Sequence, residues 1–276
     1  MATTNSLKET MTTAPQQNGG RITAKALLNA PAVKSKFEEV LKDKASGFVS
    51  SVLTLVNNDK YLANADPNTV MAGAMIAATL DLPLDKNLGY AYLVPFSGKA
   101  NFIIGYKGYI QLAQRSGKYK SLNVIPVYKG ELVRWNRLTE EIEFDPSKKE
   151  DDTVIGYVGY FKLINGFEKT VYWSKEEVEV HRIRHNKLKN PQELNGVWKT
   201  DYNTMACKTV LRNMLSKWGL LSIEMQKAEI NDEKTVEVDV ETGEIKTAEP
   251  VEETEYIDNE ESAHQEMNLL SELDAE

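Results

Sequence analysis

Residues 86–130 read KNLGYAYLVPFSGKANFIIGYKGYIQLAQRSGKYKSLNVIPVYKG. These 45 residues hold no Asp or Glu. They carry seven basic side chains, Lys86, Lys99, Lys107, Arg115, Lys118, Lys120 and Lys129, among eight aromatic ones, Tyr90, Tyr92, Phe96, Phe102, Tyr106, Tyr109, Tyr119 and Tyr128. The whole chain is acidic, with 33 Lys and Arg against 41 Asp and Glu, so an acid-free block of this length is a local feature. Cations among aromatics and amides suit a surface that follows phosphates and lies close to bases. The plainer reading is a hydrophobic hairpin and helix whose few exposed positions are Lys.

Local pattern places these charges. Residues 88–96 and 99–104 are apolar and aromatic runs separated by Ser97-Gly98, which predicts a β-hairpin. Residues 106–116 predict a helix ended by Gly117 in the left-handed region. On it Lys107, Gln111 and Arg115 fall at i, i+4 and i+8 and share one face. No carboxylate shares that face. A second helix is predicted over 200–218, TDYNTMACKTVLRNMLSKW, with Ala206, Cys207, Val210, Leu211 and Met214 as its apolar stripe. Thr204, Lys208 and Arg212 repeat the i, i+4, i+8 row, and Trp198-Lys199 precede it.

Outward from this centre, residues 35–56 are periodic in Phe37, Val40, Leu41, Ala45, Phe48, Val49, Val52, Leu53 and Val56. They predict an amphipathic helix broken near Gly47 and stopped at Asn57-Asn58-Asp59. A short helix is expected over 22–29. Asp66 before Pro67 opens a further helix over 68–80, with Val70, Met71, Ala74, Met75 and Ala78 inward. Strands are expected at 122–128, 131–137, 140–145, 154–164 and 168–173, with Asn165-Gly166 as a hairpin turn. Ser174 with Glu177 forms a capping box that starts a helix to about residue 187. Its His181, Arg182, Arg184 and His185 either extend a basic surface or balance Glu176, Glu177 and Glu179. The two histidines lack an obvious third metal ligand.

The net charge of -8 conceals two unlike parts. Residues 231–276 carry 17 acidic and 2 basic side chains, leaving a mildly basic body. The tail is poor in large apolar residues and is expected to be disordered, except that Met267, Leu269, Leu270 and Leu273 line one side of a short helix. That segment reads as a docking peptide or, more plainly, as part of a solubilising tail. Residues 1–33 are expected to form a flexible N-terminal segment with a subunit contact, and 34–230 the working domain. No apolar run is long enough to cross a membrane and no signal core opens the chain, so a cytoplasmic location is expected. The single Cys207 excludes an internal disulfide and reads as buried filler. No phosphate-binding loop, dinucleotide fingerprint, nucleophile elbow or zinc-protease motif is present. No cofactor or metal is expected, and binding is favoured over catalysis. One rival motif is the GxxG of Gly105–Gly108, similar to the KH loop that clamps four nucleotides, although a strand rather than a helix precedes it here.

GYAYLVPF, NFIIGYKGYIQLAQRSG and WKTDYNTMACKTVLRNMLSKW, in that order, resemble the RecT family of phage single-strand annealing proteins over roughly residues 34–221. The resemblance implies an α+β fold, with a short antiparallel sheet and helices lining a basic groove. It implies binding of single-stranded DNA and annealing of complementary strands without ATP in homologous recombination. It further implies a homo-oligomer, ring or helical filament. The implied partners are a 5′→3′ exonuclease and the host single-strand binding protein, met through the tail. On the reading from the two cation rows, Lys107, Arg115, Lys199, Lys208 and Arg212 are expected to hold phosphates, with Asn101, Gln111 and Thr200 as neutral donors. Lys99, Tyr106 and Thr204 complete the expected interface. The hairpin of Tyr90, Tyr92 and Phe96 inserts between base steps or packs on a neighbouring subunit.

Overall fold

Residues 23–186, 190–220, 234–238 and 245–250 are described in the computed structural model. Among the described residues the first elements are α1 (Ala24–Leu28), capped by the Thr23 side chain, and α2 (Pro31–Leu41). A short 3-10 turn, Lys42–Lys44, leads into α3 (Ala45–Asn58). The break expected at Gly47 therefore falls five residues earlier, where Lys42 has φ +50. Gly47 is accommodated inside α3 with open space where a Cβ would stand. Phe37, Leu41, Val49, Val52 and Val56 still reach one core. Asp59 ends that run and caps α4 (Lys60–Asn64), a helix too short to show a periodic pattern in the sequence.

α5 (Pro67–Thr79) begins at Asp66, whose side chain accepts from Asn68 N. A single inward face was expected. Instead every residue from Thr69 to Ala78 is buried. The many small residues of this helix let neighbours approach from several sides. β1 (Ala91–Phe96) and β2 (Lys99–Ile104) form the expected hairpin and pack on it. A Cβ at Gly73 would collide with Leu93. Ala100 N donates to Thr69 Oγ1 at 2.8 Å and Asp66 N to Gly98 O at 2.7 Å, which pins the hairpin tip to the start of α5.

α6 (Tyr106–Arg115) follows, and Gly117 takes φ +63 just past its end. An antiparallel sheet in the order β3-β6-β7 comes next, made of β3 (Tyr119–Tyr128), β6 (Val154–Leu163) and β7 (Glu168–Ser174). β4 (Leu132–Asn136) and β5 (Glu141–Phe144) form a separate two-stranded ribbon. It is joined to β7 by the Trp135–Tyr172 ring contact and by a 2.6 Å pair between Lys169 and Glu140. α7 (Lys175–His185) starts with the full capping box of Ser174 and Glu177.

The helix expected over 200–218 begins two residues later, after a short helix that the sequence did not show. α8 (Gly196–Thr200) ends at Asp201, whose extended φ of -145 lets its side chain cap α9 (Tyr202–Trp218). α9 lies across the sheet, where Gly159 leaves room for Val210 and Met214. Tyr157, Phe161, Leu163, Cys207, Val210, Leu211 and Met214 share the core there. The architecture is α+β with short antiparallel sheets, as expected.

The tail needs one correction. Within the segment expected to be disordered, β8 (Lys234–Val238) and β9 (Ile245–Pro250) pair antiparallel, and β8 lies against α5. Strand pairing needs alternation over only a few residues, and the acidic composition of the whole tail hid it. Residues 1–22 and 251–276, with their expected mobility and docking helix, lie outside the described residues. No helix among the described residues is long and apolar enough to cross a membrane.

Candidate nucleic-acid interface

The cations of the acid-free block fall into two groups. Lys86 pairs with Asp59 at 3.2 Å and Lys129 with Glu150 at 2.9 Å. Arg115 donates from Nη1 to Leu80 O at 2.7 Å and from Nη2 to Asp81 O at 2.8 Å. Those carbonyls end α5, so Arg115 caps the negative end of that helix dipole. Asp81 itself takes φ +49 and is paired with Lys44 at 2.9 Å. Among the described residues no carboxylate pairs with Lys107, Lys118 or Lys120. Lys99 is half-buried on β2.

Lys107 stands on the first turn of α6 and is exposed. Its stem and the Tyr92 hydroxyl converge over Gly89. A Cβ there would lie 3.5 Å from Lys107 Cδ and 3.3 Å from Tyr92 Oη. Gly89 also needs its φ of +72. Tyr90 packs against the core, and Phe96 at the hairpin tip is 42% exposed.

The two glycines of the GxxG motif have a structural role. A Cβ at Gly105 would land on the Gly89 carbonyl oxygen and one at Gly108 on the Tyr90 carbonyl oxygen. Gly105 N donates to Tyr90 O at 2.9 Å. The motif seats α6 on the loop before β1, with protein backbone where a KH loop would present backbone to a nucleic acid.

Further along α6, Gln111 is half-buried and its Oε1 has no hydrogen-bond partner. Asn101 is buried within the hairpin, its Nδ2 reaching Val94 O at 3.5 Å. Tyr106 faces α9. Burial raises its hydroxyl pKa, with a smaller contribution from Cys207. Cys207 is itself buried, and its thiol is pushed up to about 11 by that burial.

α6 packs on α9, the two helices that carry the predicted rows. Lys208 and Arg212 are half-buried on α9. Thr204 is committed to the helix start: its Oγ1 donates to Asp201 Oδ2 at 2.6 Å and its N–H to Oδ1 at 3.1 Å. Lys199 and Thr200 are exposed on α8, and Thr200 Oγ1 reaches back to Gly196 O at 3.5 Å.

α9 is held in place from α7. Arg182 is 1% exposed and grips Glu179 through Nε at 3.0 Å and Nη2 at 2.6 Å. Its remaining donors reach the carbonyls of Pro191, Gln192 and Glu193. The Tyr202 hydroxyl donates to Glu179 Oε2 at 2.9 Å. The Arg182 hydrogen bonds hold the Glu179 carboxyl below its ordinary pKa. Arg182 is thus a buried clasp that balances Glu179. The sequence offered both possibilities, and only the i, i+3 spacing of Glu179 and Arg182 pointed to this one. His181 stacks edge-on against Trp173 at 5.3 Å and lies 4.3 Å from His185.

Comparison with known proteins supplies an independent line. The model of the RecT family matches residues 46–251. The chain is 53% identical over 233 residues to the uncharacterized protein YqaK of Bacillus subtilis (strain 168), covering 84% of this chain and 80% of that protein. It is 30% identical over 220 residues to the protein RecT of Escherichia coli (strain K12), covering 76% and 80% respectively. The family match runs to residue 251, past the expected domain boundary at 230 and through the β8–β9 pair.

Proposed function

Because the chain belongs to the RecT family, we propose that it binds single-stranded DNA and anneals complementary strands in recombination, without nucleotide hydrolysis. The observation that carries this reading is the packing of α6 on α9, which gathers Lys107, Lys208 and Arg212 on adjoining helices. These cations hold phosphates along a groove between the two ridges, with Gln111 as a neutral donor. Lys99, Lys199 and Thr200 extend the track at either end. Phosphate contacts fix a strand without reading its sequence, so the bases stay available to an incoming strand. Pairing then supplies the free energy, and no ATP is needed.

In this reading three of the expected contacts act through the fold. Arg115 and Thr204 serve the helix ends, and Asn101 serves the hairpin. Their contribution to DNA is the positioning of neighbours. Phe96, exposed on a tip pinned to α5, is the hairpin side chain best placed to meet a base step or a second subunit. Assembly into a ring or filament, and contacts with an exonuclease and a single-strand binding protein, belong to the same proposal.

The test mixes the protein with one labelled oligonucleotide, adds its complement, and follows duplex formation without ATP. Acceleration that requires complementarity is expected. Tight strand binding with no acceleration would leave a coating protein and overturn the annealing assignment.

A further inference from the structure

The end of α9 carries a surface that the proposed DNA track does not use. Gly219 packs so closely on Tyr119 that a Cβ there would lie 2.6 Å from its hydroxyl. The Tyr119 ring meets Phe161 edge-on at 5.6 Å, and Phe161 meets Phe167 at 5.9 Å. Ile164 N donates to Lys118 O at 2.9 Å. Ile164 and Phe167 border the turn between β6 and β7, and Trp218 and Leu220 stand on either side of Gly219; the four are 68%, 46%, 36% and 45% exposed. Lys118 and Lys120 flank Tyr119, and Lys217 lies beside Trp218, its Nζ 5.8 Å from the ring centre. No carboxylate among the described residues pairs with any of these three lysines. The nearby Glu140 and Glu168 are held by Lys169 and Lys162. The surface is therefore apolar and positively charged.

Its chemistry favours an amphipathic acidic peptide over a nucleic acid. Bases bind single-strand proteins by stacking on open aromatic faces, and one face of Trp218 is already covered by Lys169 Nζ at 3.8 Å. Ile164 and Leu220 offer branched aliphatic surface, which suits leucine and methionine side chains. The chain contains such a segment. Residues 251–276 hold ten Asp and Glu with no Lys or Arg, and Met267, Leu269, Leu270 and Leu273 lie among Glu266, Glu272 and Asp274. Sixteen residues separate Pro250, the end of β9, from Met267. Such a spacer extends to roughly 55 Å, enough to reach any face of a body about 45 Å across.

We propose that the acidic segment 251–276 docks on this surface of its own chain, its Met and Leu side chains on the Phe167–Trp218 face and its carboxylates toward Lys118, Lys120 and Lys217. Tethering raises the local concentration of the segment to the order of a millimolar, so weak docking keeps the surface occupied. Any partner that takes the segment must first release it. This proposal does not rest on annealing.

The test uses the full chain carrying Ser271→Cys, labelled with a small dye that tryptophan quenches on contact. Cys207 is buried and does not compete for the label at neutral pH. Emission is expected to be low, to be independent of protein concentration, and to rise with salt as the ion pairs are screened. It is expected to rise equally in a Trp218→Phe background and in a Lys118→Glu/Lys120→Glu background. The second change affects exposed residues only, so it keeps the test open if the first perturbs folding. Equal emission in all backgrounds overturns the proposal. So does quenching that grows with protein concentration, which places the segment on another copy. Unquenched dye together with weaker oligonucleotide binding by the lysine variant would assign the surface to nucleic acid and overturn it as well.

Discussion

The two cation rows look alike in the sequence and are held in different ways. On α6 the row Lys107–Gln111–Arg115 is anchored by its own last member, because Arg115 is bonded to the carbonyls that end α5. On α9 the row Thr204–Lys208–Arg212 is anchored from outside, through Tyr202, Glu179 and the buried Arg182. An i, i+4, i+8 spacing thus says which side chains share a face and nothing about which of them are free to meet a ligand. In each row one end member, Arg115 or Thr204, is bonded to the ends of helices.

The largest expected effect tests the outside anchor. Arg182→Ala leaves Glu179 and the carbonyls of residues 191–193 without their donor. Removing one partner of a buried pair costs about 3–5 kcal/mol, and since the Glu179 side chain is 35% exposed, about 2–4 kcal/mol is expected. Denaturant unfolding reads it. The same pair gives a pH signature. The folded-state pKa of Glu179 is depressed, so its contribution is fully present above the ordinary carboxylate range and is lost as pH falls through the folded value. The variant is expected to lose that share of acid sensitivity. Unchanged stability would remove the clasp and with it the asymmetry between the rows.

Arg115→Ala tests the self-anchored row and is expected to act next most strongly. Two charge-assisted bonds are lost, but Arg115 is exposed, so water replaces part of them. A stability loss of about 1–2 kcal/mol is expected. The decisive comparison is with DNA binding. If Arg115 positions α6, affinity falls while the slope of log affinity against log salt stays near the parent value. A slope reduced by about 0.7 would return Arg115 to the phosphate contacts.

A smaller effect comes from Cys207. Its folded-state pKa of about 11 lies above that of a free thiol. The neutral form therefore stabilises the fold at lower pH, and this contribution is lost as pH rises through about 11. Cys207→Ala is expected to flatten the alkaline end of the stability curve, read by thermal unfolding at rising pH.

Much of the fold was legible because its signals are local. The Ser97-Gly98 and Asn165-Gly166 turns, the Ser174–Glu177 capping box and the alternation of the strands each lie within a few residues. What escaped depends on contacts between distant segments. The sequence shows α5 as one-sided because Val70, Met71, Ala74, Met75 and Ala78 share a face, while the burial of Ala72, Ile76 and Ala77 depends on segments arriving from elsewhere. Gly105 and Gly108 resemble a nucleotide clamp in isolation, and only the position of the Gly89 and Tyr90 carbonyls shows that they let α6 seat. Arg115 reads as a phosphate contact because its partners are main-chain carbonyls 34 and 35 positions away, and carbonyls leave no mark in a sequence. The spacing puts each row on one helix and does not show that the fold engages Arg115 and Thr204.

The smallest effect on stability, and the sharpest on function, belongs to Lys107. It is exposed, stands over Gly89 beside Tyr92, and pairs with no carboxylate among the described residues. Lys107→Ala should therefore leave unfolding within ~0.5 kcal/mol of the parent. On single-stranded DNA it should weaken binding equally for all sequences and lower the salt slope by about 0.7, the share of one phosphate contact. Lys208→Ala should lower the slope by the same amount, and the double variant by the sum, if both ridges hold one strand. A double variant no worse than either single one would mean that the two lysines meet the same phosphate or that only one ridge is used. A parent-like slope in Lys107→Ala would take α6 out of the interface and leave α9 as the single binding ridge.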